Sequence, residues 1–267
     1  MEIVERFIFS GHVIGASAHF HKLDNLENIY HPIPVLGSAV VPIVGGLAQH
    51  KVENFSYTVD EPRRRTLLAA RHVEARAHGR EYGDRYETEI ETQVRGLSVL
   101  EKLHVDLVEL KQKAISTKGN GAKTPSIRTT SGKIEGLQLG KVTAFVELDR
   151  EPFEECDSKR ELLEFVSKKG DSYKSEHGWR FSDERNGYVY ATLVKKIRLE
   201  GPPEELAVMK VHDNVITWDG FGKIFLGEVI IRDEDRRVTM MRLQMGSDGG
   251  GSGTAGCGHT NGGGAGT

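Results

Sequence analysis

The residues with the most direct claim to chemistry are histidines. Seven of the eleven (His12, His19, His21, His31, His50, His72 and His78) fall in the first 78 residues. Residues two apart on a strand project to one face, so His19-Phe20-His21 would present both imidazoles together. Two neutral imidazoles side by side, with His50 as a third, could hold a divalent transition metal. The structural alternative is a polar strand face without a ligand. Near the C-terminus, Cys257-Gly258-His259 carries a thiol and an imidazole, as a metal ligand pair, a disulfide partner or a bystander.

Other arrangements fall short of a known chemistry. Gly119-Asn120-Gly121-Ala122-Lys123-Thr124 is glycine-rich but lacks the Gly-Lys adjacency, and the following helix, that cradle a phosphate. There is no G-x-S-x-G nucleophile elbow. Cys156 stands between Glu155 and Asp157, whose charges disfavour a thiolate, so it makes a poor nucleophile. Glu87, Glu89 and Glu91 alternate with apolar residues and read as a solvated strand face rather than a catalytic carboxylate pair.

The elements that would position these groups are organised around Tyr86–Leu110. Tyr86, Thr88, Ile90, Thr92 and Val94 alternate with charged and polar residues, the period of a half-buried strand. After Gly96 the alternation resumes at Leu97, Val99, Leu103, Val105 and Leu107. The two runs read as neighbouring antiparallel strands. Residues 3–21 read as one long strand bent at Gly11 and Gly15 or as two short ones, and 66–78 as a strand despite its alanines. Residues 188–199 read as one strand, and short strands follow at 206–212, 214–218, 223–231 and 237–245. One helix is expected at 158–169, capped by Asp157 or Ser158 and stopped by Gly170. The fold class is mainly β, with antiparallel sheets packed as a sandwich or barrel. The chain divides into a β half over 1–116, a loop or linker over 117–132 and a second β half over 133–246. Residues 247–267 hold ten of the 31 glycines, and the expectation there is a flexible, disordered tail.

One resemblance bears on the histidines. Gly37, Pro42, Gly45, His50 and Asn54 are spaced loosely like the second metal motif of cupins, whose first motif carries a His-x-His pair. The likeness spans about 45 residues; the acid after His21 and the Pro–Gly–His spacings depart from the pattern. It implies a metal-dependent enzyme in which His19, His21 and His50 hold the ion.

Composition narrows the classes. With 37% hydrophobic and 28% charged residues the chain is globular, and a net charge of -3 sets up no field for nucleic acid. Arginines cluster at Arg63, Arg64, Arg65, Arg71, Arg76, Arg80 and Arg85, a solvated sheet face or a patch for an anionic partner. Two cysteines 101 residues apart and no signal segment point to a reducing, cytoplasmic setting. Residues 32–49 form a run of 18 without charge. Pro32, Pro34 and Pro42 exclude a transmembrane helix there. Val35, Leu36, Val40, Val41, Ile43 and Val44 are therefore core or subunit contact. The leading expectation is a non-catalytic structural or interaction protein that forms a homo-oligomer through this run; the rival is the cupin-like enzyme.

Overall fold

A computed structural model describes residues 6–21, 30–60, 64–118, 125–176, 180–181, 187–232, 235–246 and 250–266, and all that follows concerns these. The chain begins with β1 (Arg6–Ile8), β2 (Gly11–Phe20) and β3 (His31–Val40). Long strands follow: β4 (Gly46–Val59), β5 (Arg65–Tyr82), β6 (Arg85–Val99), β7 (Leu103–Thr117) and β8 (Ser126–Glu135). Next come β9 (Leu137–Leu139), β10 (Val142–Leu148) and helices α1 (Glu151–Glu155), α2 (Lys159–Lys169) and α3 (Asp171–Glu176). Beyond them lie β11 (Arg180–Phe181), β12 (Val189–Thr192), β13 (Val194–Glu200), α4 (Pro203–Leu206), β14 (Met209–His212) and β15 (Val215–Trp218). The chain ends with β16 (Gly222–Ile231), β17 (Arg236–Met245), β18 (Gly251–Thr260) and β19 (Gly264–Gly266).

The strands build two large antiparallel sheets packed as a sandwich, the fold class expected. One has eight strands in the order β13-β10-β9-β7-β6-β5-β4, with β8 also on β7. The other has nine in the order β11-β12-β16-β17-β18-β2-β3, with β15 on β16 and β14 on β15. Residues on both sides of 117–132 contribute to both sheets, and 126–132, expected in a linker, belong to β8. The run 188–199 is not one strand. At Leu193 it passes from one sheet to the other: the Leu193 N–H donates to Gly227 O at 2.8 Å, and its carbonyl accepts from Asp149 N at 2.7 Å.

A further overturned expectation is the C-terminus. Residues 251–260 are β18, paired on one side with β17 and on the other with β2. Its glycines serve close approach of the sheets rather than flexibility. A Cβ at Gly256 would lie 2.8 Å from Val108 Cγ1, and one at Gly258 would lie 2.9 Å from Leu110 Cδ2. Side chains of β7 occupy the space that β18 leaves empty, so the segment buries its partner's apolar surface although it has little of its own.

Each sheet is crossed by one row of interrupted pairing. In the eight-stranded sheet Asn54, Arg71, Gly96, Asp106 and Gly136 fall opposite one another, with φ of 50°, 60° and 65° at Asn54, Gly96 and Gly136. In the nine-stranded sheet the row is Gly227, Met240, Gly256, Gly15 and Gly37, with φ of 61°, 66° and 62° at Gly227, Gly256 and Gly37. At each row the buried side changes parity: β6 buries Ile90, Thr92 and Val94 before Gly96, and Leu97 and Val99 after it. Gly96 is thus inside β6, not between strands. The β6–β7 turn lies at Leu100 and Glu101, at φ of 53° and 56°.

The helix expected at 158–169 is α2. The Ser158 hydroxyl accepts from Glu161 N at 3.2 Å, the Glu161 carboxylate accepts from Asp157 N at 2.8 Å, and Gly170 ends the helix at φ 90°. Leu162 and Val166 enter the core beside Phe153 of α1. Arg236, 1% exposed, ties this helical segment to the nine-stranded sheet by donating to Phe153 O at 3.0 Å and Cys156 O at 3.2 Å.

Two changes test the reassignment of the C-terminus. Removing residues 247–267 is expected to abolish cooperative thermal unfolding, because two long strand edges lose their partner. Gly256→Ala is expected to lower stability by about 1–3 kcal/mol in urea titration, since it adds left-handed strain and an overlap with Val108.

Candidate functional site

The uncharged run 32–49 folds into the corner where the free edges of both sheets meet. β3 is the last strand of the nine-stranded sheet and β4 the last of the eight-stranded one. Pro42 and Gly45 make the turn between them, with Gly45 N donating to Pro42 O at 2.8 Å. Two contacts stitch the strands laterally: Ser38 N–H donates to His50 Nδ1 at 3.3 Å, and His31 Nδ1 lies 3.4 Å from Tyr57 Oη. The prolines have a local reason. Pro32 and Pro34 remove backbone donors from an edge strand, which blunts pairing with another chain there.

Of the six residues assigned to an interface, the structure divides four from two. Val40, Ile43 and Val44 are 66%, 67% and 79% exposed, and Val35 is also exposed. Leu36 and Val41 are each 2% exposed and belong to the subunit's own core, so they are corrected out of the surface. Val41 packs with Phe9, Val13 and Ala39, while Leu36 joins the main core. Two residues outside the assignment enlarge the patch. Leu47 opens β4 on the same corner, and Ile8 adjoins it through the bond from Phe9 N to Ile43 O at 3.0 Å; both are exposed. Leu47 lies inside the same uncharged run and could have been included; Ile8 lies far away in sequence.

The histidines do not form one centre. His19 and His21 do share a face, with ring centroids 5.9 Å apart. His50 is on β4, next to Ser38, whereas His19 pairs with Pro32 at the other end of β3. Six strand residues separate those two points, about 20 Å. Among the described residues no group of three or more His, Cys, Asp or Glu side chains is gathered to hold a metal ion.

The arginine-rich segment runs along β5 and into β6, where much of it is neutralised. Glu87, 1% exposed, is met by Arg85 at 2.9 Å, Lys113 at 3.0 Å and Arg80 at 3.4 Å. Burial alone would raise its carboxyl, but Lys113 and the two arginines hold it below the usual carboxylate range. Lys111 pairs with Glu89 at 3.1 Å, and Lys51 with Glu74 at 3.4 Å. Arg71 lies across Gly96. Of the three arginines assigned to an anionic partner, Arg65 begins β5 and Arg64 is highly exposed, 3.9 Å from Asp60; Arg63 lies outside the described residues. On the outer face of the other sheet, Glu228 is similarly saturated. It accepts from Arg242 Nε and Nη2 and from Tyr190 Oη, each at 2.7 Å.

A family model described as a domain of unknown function, DUF8256, matches residues 21–177, more than half of the 267-residue chain. The chain belongs to that family. No curated protein and no solved structure matches it. The matched span runs from the end of β2 through α3, so it contains the whole β3–β4 corner. Among the described residues no helix is long and apolar enough to cross a membrane.

The ion cluster makes a measurable claim. Glu87→Gln removes the one charge that three cations share, and it should lower stability by about 1–2 kcal/mol in denaturant unfolding. Because the native carboxyl titrates low, its contribution is present above the ordinary carboxylate range and is lost as pH falls through the depressed native value. Wild type and variant should therefore converge in acid.

Proposed function

We propose that this protein is a non-catalytic structural or interaction protein that self-associates through the β3–β4 corner. The observation that carries the reading is the set of exposed large aliphatic side chains at and beside this corner, Ile8, Val35, Val40, Ile43, Val44 and Leu47. Contiguous exposed apolar surface of this kind marks a contact, and each aliphatic side chain withdrawn from water contributes about 1.5–3 kcal/mol. A second copy is favoured because the corner lies on two free sheet edges, where it can meet its own counterpart about a two-fold axis. The saturated carboxylates of Glu87 and Glu228 support a structural rather than a catalytic role for the buried acids. The free thiols of Cys156 and Cys257 suit a reducing, cytoplasmic setting.

Sedimentation velocity tests the proposal. The wild type should sediment above the 29.6 kDa of one chain. Val40→Asp and Ile43→Asp should each shift it to monomer, because a charge in an apolar contact loses hydration without gaining a partner. Both side chains are exposed in the subunit, so circular dichroism should not change. A monomeric wild type at its highest soluble concentration would overturn the proposal.

A further inference from the structure

A second surface feature stands on the outer face of the nine-stranded sheet. His12 on β2 and His259 on β18 are direct cross-strand partners. Their ring centroids are 5.1 Å apart and the rings are tilted by 58°. Asp235, just before β17, places Oδ1 at 3.6 Å from His259 Nε2, too long for a good hydrogen bond.

We propose that His12 and His259 form a chelating pair for a divalent transition ion of the Cu2+, Ni2+ or Zn2+ class, with water in the remaining positions. The spacing carries the proposal. An imidazole nitrogen bound at about 2.0–2.1 Å places its ring centroid about 3.2 Å from the ion, so two rings at a tetrahedral angle have centroids about 5.2 Å apart.

The surroundings decide which species binds. Burial first, and then Arg237, hold His12 below the usual histidine range. Burial is also the main cause of the lowered His259 value, opposed by Asp235 and aided by His12 and Arg237. Both rings are therefore in the neutral, ligating form at pH 7. Burial pushes the nearby Cys257 sulfhydryl up. Arg237, the cross-strand partner of His259, repels a cation and tempers affinity.

The test uses the untagged full chain and the metal salts alone in isothermal titration. One ion per chain is expected, with His12→Gln and His259→Gln each weakening it at least tenfold. Asp235→Asn should weaken it less, and Arg237→Gln should tighten it. His21→Gln should leave the affinity unchanged. In wild-type protein, which needs no variant to fold, Cu2+ should broaden the His12 and His259 ring resonances before those of His19 and His21. No uptake, or uptake that follows His21 instead, would overturn the assignment.

Discussion

The constraint on which the structure depends is the approach of two sheets whose long strands are interrupted at one level. A strand exposes alternate residues, so one added residue swaps its inner and outer faces. Added in one strand alone, it would destroy the register with its neighbours. Here each row crosses adjacent strands together, and pairing resumes unshifted: Leu226 meets Met241 on one side of Gly227, and Glu228 meets Thr239 on the other. The left-handed conformations at Gly96, Gly136, Gly227, Gly256 and Gly37 absorb the change. The rows also face each other, since Gly37 of one sheet would place a Cβ 2.7 Å from Val73 of the other.

This construction explains the odd distribution of small residues. The inner surface of β18 is glycine and alanine where it meets Val108, Leu110 and Ile90, and β2 and β3 set Gly15 and Gly37 against Val73. One sheet supplies side chains and the other supplies room. The β3–β4 corner divides its aliphatic side chains: β3 turns Ile33 and Leu36 into the core and leaves Val35 and Val40 exposed. Lys51 and Glu53 midway along β4 and the kink at Asn54 discourage open-ended strand addition. Val40, Ile43, Val44 and Leu47 gather at the turn end, a geometry suited to a closed contact rather than to a growing fibre.

Much of the fold was legible where periodicity is strong. Ile90 to Val94 and Leu97 to Val99 marked strand with one buried face, and Ser158 and Gly170 marked α2. The change of parity at Gly96 was legible too, but it was read as a strand boundary. The true turn uses Leu100 and Glu101 in the left-handed region, where Asn and Gly are the usual signal. The C-terminal strand was illegible for a different reason: its stability resides in Val108 and Leu110, about 150 positions away. Composition alone cannot distinguish a glycine that frees a chain from a glycine that admits a neighbour. At the candidate site, the lack of charge over 32–49 located the corner, but only the pairing of β3 with β2 reveals that Leu36 and Val41 turn inward while Val40 turns out. The His12–His259 pair joins opposite ends of the chain and had no local signature.

The most direct measurement of the sandwich is amide hydrogen exchange over residues 251–260. As β18, held between β17 and β2, these amides should be protected to the same degree as those of its two neighbours. Exchange at the rate of an unstructured peptide, with β2 and β17 still protected, would contradict it.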